Sequence, residues 1–378
     1  MRRWLASTAL ALSACAEAGP TDAMSEVLAA TCDLTTVFVG EDPKHGEGAT
    51  IAFKAELVER LVGECGFEQV VFEASFYEFS DIARAVEAGE PLTEERFRTA
   101  VGGLWSDTAE FAPLVPVLVE GVNAGTLRVG GIHDQLPQRG QDYANDIMGG
   151  ELMAVLPTER AEECTERLRR RIYSFLPENG PYDVEARSEV QRCIAEAEAS
   201  LPEGSWERAM AGSLSRVVAR DLEGRDAAIR GRSASMAANL AVWQPDAARK
   251  TIVWTATVHA ARRDTELGNG TVAPNLGRIV EARAGEPAYI LAFSALSGST
   301  RMMDGTTPYV PTPSPGSLEA TAFAGTEADA VFLDRDDLIE LGTVPGAALA
   351  AREEVRAWHE LVDGVVVFRE QFPKTWMP

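Results

Sequence analysis

One stretch constrains the fold more than any other: residues 37–73, VFVGEDPKHGEGATIAFKAELVERLVGECGFEQVVFE. A short apolar run, Thr36 to Val39, ends at Gly40-Glu41, and a polar turn then carries His45 and Gly46. Ile51, Phe53, Leu57, Val58, Leu61 and Val62 follow a helical pattern until the segment Gly63 to Gly66 stops it. A second apolar run, Val70 to Phe72, ends at Glu73. This alternation predicts a β-α-β unit. In an open parallel sheet, ligands bind at the carboxyl ends of the strands. Glu41, His45 and Glu73 are therefore expected at one rim, as two carboxylates around an imidazole. Helix capping or simple solvation accounts equally well for one such acid alone. It accounts less well for three polar residues at strand ends together.

The rest of the chain extends the pattern. Helical stretches are expected at 79–88, 94–101 and 110–123, with Trp105 before the last. A third strand, 127–132, ends in His133-Asp134-Gln135, which places His133 or Asp134 on the same rim; a turn and helix cap is the alternative for Asp134. Residues 151–243 read as almost entirely helical, with an inserted cap over the sheet as the expected result. Lids of this kind exclude water and shape pockets. The basic run Arg167, Arg169, Arg170 and Arg171 reads as a solvated helix face. A fourth strand, 251–257, precedes His259; capping or packing is the alternative role for that histidine. Further strands are expected at 288–293, 330–333 and 364–368, with a mobile Pro-, Thr- and Gly-rich loop at 304–316 and a helix at 347–361 carrying His359. The expected fold is α/β: a mostly parallel central sheet flanked by helices, with an inserted helical cap. The α/β domain spans 26–150 and 244–378, and the insertion 151–243.

A chain of 378 residues accommodates one large domain with such an insertion. Its formal net charge of −23 repels phosphate backbones and argues against a nucleic-acid partner. The amino terminus is the one basic, apolar exception. Arg2-Arg3 precede an apolar run too short to span a bilayer, the pattern of a targeting segment over residues 1–14. Leu12-Ser13-Ala14-Cys15 resembles the lipobox of bacterial lipoproteins, which implies lipidation of Cys15 and a tether over 15–25. A secretory signal cut near Ala14 or Ala18 is the alternative. Ala16, rather than Asp, after the cysteine implies by analogy an outer-membrane location facing the periplasm, with the membrane reached through the lipid.

Export makes the other four cysteines candidates for bridges. Cys164 and Cys193 lie in two helical patterns joined by the breaker Pro177 to Pro181. Their midpoint falls in that link, so an antiparallel hairpin puts them at one height and a 164–193 disulfide is expected. Cys32 precedes the first strand and Cys65 ends the first helix, both at the opposite edge of the sheet from the rim, so 32–65 is the natural second pair. No cysteine pair has zinc-site spacing.

The order of motifs resembles the erythromycin esterase family: VGE…HG with its helix and GFEQVVFEASF, then Trp105 and Asn123, GGIHDQ, RSASMAANL, KTIVWTATVHAAR and LVDGVVVFREQFP. That resemblance implies an α/β sheet with a helical insertion and hydrolysis of a macrolide lactone without a bound metal. It also implies that Glu41 is the acid before the active histidine, that His45 is the base activating water, and that Glu73 is the acid ending the second strand. His259 matches the second histidine of a Trp-Ala-His-Asn-x-His stretch. Glu41 and His45 stand one residue further apart than in the family pattern, so Asp42 can take the acid's place. Lys54 stands where the family usually has Arg and cannot form Arg's bidentate fork. Ala256 and Thr257 replace the first His and the Asn of the later stretch. These departures point away from erythromycin as the substrate.

The chemistry can be read without the family. A neutral imidazole takes a proton from water, and a flanking carboxylate fixes its tautomer. Lys54 could neutralise the acids or stabilise an oxyanion, and His259 could protonate a leaving alkoxide. With no Gly-x-Ser-x-Gly elbow, direct attack by water on a small-molecule ester or lactone is the simplest scheme, with no cofactor. Two alternatives stay open. One is a metal or haem binder using Glu41, Asp42, His45, Glu73, His133 and His259, although no tight His-x-x-His cluster is present. The other is an inactive homologue acting as a binding lipoprotein.

Overall fold

Seven strands carry the fold because their sequences can be buried on both faces. β1 (Thr36–Val39) and β2 (Gln69–Ser75) are almost wholly buried, as strands of a parallel sheet covered by helices must be. β3 (Arg128–His133) and β4 (Thr251–Trp254) follow the same rule. β5 (Asp264–Glu266) and β6 (Val272–Pro274) form a separate antiparallel pair. β7 (Tyr289–Ala295), β8 (Ala330–Leu333) and β11 (Gly364–Phe368) complete the main sheet, and β9 (Thr343–Gly346) pairs with β10 (Glu354–Ala357) outside it. The strand order is β3-β2-β4-β1-β7-β11-β8, parallel throughout except for the antiparallel edge strand β8. This computed structural model describes residues 22–136, 140–174, 176, 182–223, 225–246, 248–266, 272–284, 288–350 and 352–377. The targeting segment, Cys15 and the link 177–181 lie outside the described residues.

The order has one consequence for function. β1 and β2 are consecutive in sequence but not neighbours in the sheet: β4 lies between them and pairs with both. Whatever follows β4 is therefore delivered between the ends of β1 and β2. β2 also shifts register against β3 between Phe72 and Ser75, around Glu73. Such a bulge re-aims side chains and is over-represented beside active sites.

Helix α2 (Gly48–Cys65) connects β1 to β2 and stops at Gly66, whose left-handed φ of 70° suits glycine. Helix α1 (Ala23–Thr31) precedes β1, so the expected tether boundary at residue 25 falls inside a helix capped by Asp22. Both expected disulfides are present, Cys32–Cys65 and Cys164–Cys193, with Cα–Cα separations of 5.0 and 5.4 Å. Lys250 Nζ donates to the Cys32 and Cys65 carbonyls, closing the amino-terminal end of the sheet.

The helical block contains the antiparallel hairpin Thr158–Ile172 and Val184–Ser200, followed by Trp206–Glu223 and Arg225–Trp243. The last of these runs along β3. Trp243 Nε1 donates to the Gly131 carbonyl at 2.7 Å, Asn239 Nδ2 to the Ile132 carbonyl at 3.0 Å, and the Ser235 hydroxyl to Asp134. These residues stand four apart and so share one helix face. The basic run is not uniformly solvated. Arg167 and Arg169 pair with glutamates on their own helix, but Arg171 is largely buried, pairing with Asp221 and donating to the Leu136 carbonyl.

Two local expectations are corrected. The helix expected at 79–88 starts earlier, as α3 (Phe76–Glu87), because Ser75 caps it. The described residues of 347–361 do not form a helix: they supply β10 and a 3-10 turn, Trp358–Glu360, that carries His359. There the buried Trp358 packs over Gly346 and donates to the Val344 carbonyl, and this hairpin contact overrides local helical propensity. The loop at 304–316 is held at its base by the Thr300 N–H on Pro308 O and the Val310 N–H on Gly298 O.

Candidate active site

The end of β1 turns sharply at Gly40, where a Cβ would lie 2.3 Å from Thr257 Oγ1. Only glycine lets the two strand ends approach this closely. Glu41 follows and is 1 % exposed. Its Oε1 lies 2.7 Å from His45 Nδ1 and accepts from Trp105 Nε1 at 2.9 Å, while its Oε2 lies 3.1 Å from Lys54 Nζ. His45 has a φ of 54°, positive for a non-glycine residue. This strained backbone is held by the His45 N–H on the Asp42 carbonyl and by edge-on contact with the Trp105 ring. The carboxyl-terminal tail straps the same loop: the Gly48 N–H donates to Phe372 O, the Lys374 N–H to Gly46 O, and the Gln371 side chain accepts from the Ala49 N–H.

Glu73 is the second centre. Oε2 accepts from Thr255 Oγ1 at 2.7 Å and from the Ala256 N–H at 2.9 Å. Oε1 accepts from Arg232 Nη2 at 3.0 Å and lies 3.4 Å from His259 Nε2. The same Nη2 reaches His133 Nε2 at 2.9 Å. Burial alone would raise the pKa of Glu73, but His259, His45 and Arg232 outweigh it and hold the carboxyl well below the usual range. Burial also works against the charge of His45, yet the contact with Glu41 leaves its pKa raised. His259 goes the other way: burial lowers it and Glu73 only partly compensates. His133 is pushed down to about 4 by burial and Arg232.

The expected residues thus divide. Glu41, His45, Glu73, His133 and His259 meet at the carboxyl end of the sheet. Lys54 does not reach the solvent side: it is fully buried, sits 4.0 Å from the Trp254 ring centroid, and is brought down to about 8 by desolvation. It compensates the charge of Glu41 and is not placed to hold a substrate. Its position on α2, three residues from Ile51 and four from Val58, already put it on the apolar stripe. Asp134 is also fully buried, bound by Arg220 Nη2 at 2.8 Å and by Ser235, and it anchors the cap to β3 without facing a ligand. Asp42 lies on the His45 loop; its Oδ1 accepts from the Lys44 N–H at 2.8 Å. It does not replace Glu41 against the imidazole.

Arg232 is the participant that sequence reasoning missed. RSASMAANL was recognised as a motif, but nothing in a helical heptad reveals that its arginine crosses to a distant strand. Thr255 was likewise hidden inside a longer expected strand. Among the described residues, no group of three or more His, Cys, Asp or Glu side chains is placed to hold a metal ion.

The comparisons agree with this architecture. The erythromycin esterase family model matches residues 62–366, most of the chain, and the protein belongs to that family. The match includes Glu73, His133, Arg232 and His259 and begins after His45 and Lys54. The fold is shared with solved structures of low identity. A succinoglycan biosynthesis protein aligns with a TM-score of 0.73 at 16% identity, covering 94% of this chain and 93% of its own. A Bacillus cereus protein aligns at 0.69 and 17% identity, covering 95% and 94%. An erythromycin esterase mutant in its open conformation aligns at 0.62 and 14% identity, covering 92% and 93%. No curated protein sequence matches.

Proposed function

We propose that the protein hydrolyses an ester or lactone by direct attack of water, with His45 as general base. One observation carries this reading. His45 Nδ1 is bound to Glu41, itself fixed by Trp105 and Lys54, while Nε2 takes no hydrogen bond among the described residues. This is a base with its orienting partner already in place. Water loses a proton to His45 as its oxygen bonds the carbonyl carbon. The acyl C–O bond then breaks, and the leaving alkoxide takes the proton that water gave to His45; His259, whose lowered pKa disfavours its charged form, assists by its contact with Glu73. Arg232, partly exposed beside Glu73, supplies the cationic contact for the developing oxyanion. The substrate is a small ester or lactone other than erythromycin, in keeping with Ala256 and Lys54.

The test is an assay of the purified protein against chromogenic esters and macrolactones, with and without chelator. Chelator-resistant turnover that His45→Asn abolishes, with unchanged folding, is the expected result. Full turnover in that variant would show that the base is wrong, and loss of turnover with chelator would favour a metal-dependent reaction. A binding lipoprotein is the second reading, favoured by Ala256 standing where the family has histidine; ligand binding without turnover would support it.

The lipobox-like Leu12 to Cys15 and the two disulfides support a further proposal, a lipid anchor on Cys15 in an oxidising envelope compartment, at the outer membrane facing the periplasm. Fatty-acid labelling that Cys15→Ser abolishes is the expected result. No described helix is long and apolar enough to cross a membrane.

A further inference from the structure

The tail residues 371–377 bond both segments that hold the His45–Glu41 pair. On one side, Gly46 O accepts from the Lys374 N–H at 3.2 Å and the Gly48 N–H donates to Phe372 O at 2.8 Å, so the tail grips the loop just after His45. On the other, the Ala109 N–H donates to Thr375 O at 2.9 Å and the Met377 N–H to Asp107 O at 2.8 Å. That second segment carries Trp105, whose Nε1 binds Glu41 and whose ring meets the His45 ring edge-on at a centroid distance of 5.0 Å. One residue joins the two sides. Lys374 is fully buried, its Nζ donates to the carbonyl of Leu104, directly before Trp105, at 2.8 Å, and the same Nζ lies 4.3 Å from the Trp376 ring centroid. Desolvation brings this amine down to about 8, opposed by Glu41, Glu110 and Asp107, so the group is charged at neutral pH. A buried ammonium is costly, and a plain apolar side chain would fill the same space without that cost. The loop also needs an external hold: the positive φ of 54° at His45 persists only where the surroundings over-determine it.

We infer that Lys374 is a positioning residue for His45: its main chain fixes the loop that follows the imidazole, and its ammonium fixes the segment that brings Trp105 to Glu41. One residue thereby sets how the imidazole meets its carboxylate. Lys374 acts through Trp105, Glu41 and the loop, and not on the reacting atoms. Its effect on turnover rests on the hydrolase reading above; its hold on the His45–Glu41 contact does not.

Proton NMR titration of the 4 histidines in the purified full chain reads that contact directly, with His45→Asn identifying the His45 signal. Burial and Lys54 lower the His45 pKa, whereas Glu41 and Glu73 raise it. Lys374→Met keeps much of the side chain's bulk and removes its donor and its charge. A loosened Glu41 contact should lower the His45 pKa by about half a unit or more and leave the other histidines in place. Loss of a nearby positive charge alone would move it the other way, so the sign separates positioning from simple electrostatics. On a responsive ester, kcat should fall about tenfold or more with KM little changed. Trp376 is partly exposed, so Trp376→Ala reads the same arm if Lys374→Met does not fold, with a smaller shift in the same direction expected. An unchanged or raised His45 pKa in the folded variant, or a kcat equal to the parent's, overturns the positioning role. A lowered pKa together with no turnover of any ester by the parent upholds the hold on His45 and removes the hydrolase reading.

Discussion

Arg232 and Glu73 stand 159 residues apart, and a hydrogen bond of 3.0 Å joins the cap to β2. The same guanidinium nitrogen touches His133, so one side chain of the insertion organises an acid and an imidazole on two neighbouring strands. The helical block therefore completes the site electrically.

Arg232→Lys tests this junction. A single ammonium on a flexible stem reproduces the charge but not the fixed fork. The expected outcome is a fall in kcat of about tenfold to a hundredfold, with KM changed less, in steady-state assays on a responsive ester. An unchanged kcat would remove Arg232 from the chemistry.

Lys54 and Glu41 form a buried pair, so removing one partner strands the other. Lys54→Met should cost about 3–5 kcal/mol in urea denaturation. Lys54→Arg should be milder if the space beside Trp254 admits the guanidinium. Equal stability of Lys54→Met and the parent would mean that Glu41 is neutral in the folded protein.

Glu47 makes a pH signature. Burial, reinforced by Asp42, pushes its pKa up from 4.5 to about 8. Between these values the folded chain holds a proton that the unfolded chain has lost. The contribution of Glu47 is therefore fully present below pH 4.5 and is lost as pH rises through about 8. Glu47→Gln keeps an acceptor for the Asp42 N–H and removes the titration. Its stability should match the parent near pH 5 and exceed it above pH 8, read from thermal melts across that range.

Activity should follow the raised pKa of His45. The base acts only when neutral, so kcat/KM should rise with pH through a value above the ordinary 6.5. Glu41→Gln removes the carboxylate that raises it and should move that limb to lower pH while reducing kcat. A limb that stays in place would separate Glu41 from the titrating base.

The Cys164–Cys193 bridge closes a loop across the cap hairpin, with a sequence separation of 29. Replacing both residues with alanine should cost about 3 kcal/mol under non-reducing conditions. Faster hydrogen exchange is expected in the Thr158–Ile172 and Val184–Ser200 helices, not in the sheet. Uniform loss of protection would show that the cap and sheet unfold as one unit.

Much of the fold was legible because its signals are local. Apolar runs ending in Glu41, Glu73 and His133 marked strands whose ends carry chemistry, and the cysteine positions about the 177–181 link marked the hairpin. Failures came where a contact distant in sequence overrode a local preference. The segment before Trp358 has helical composition, yet it pairs with residues 343–346. Asp134 looked like a rim residue, but Arg220 and Ser235 bury it. Lys54 had a readable position on the apolar stripe, although its partner Glu41 came from the preceding turn.

By itself, the sequence determined which side chains end the strands, which cysteines pair, and that a helical block interrupts an α/β sheet. These follow from periodicity, turn residues and spacing, all short-range properties of the chain. Only the tertiary structure decided that β4 enters between β1 and β2, bringing Thr255 and His259 onto Glu73. It alone decided that Arg232 crosses from the helical block to Glu73 and that Arg220 and Ser235 bury Asp134. Strand order and helix docking are set by burial summed over the whole core, and no single stretch of sequence contains that sum.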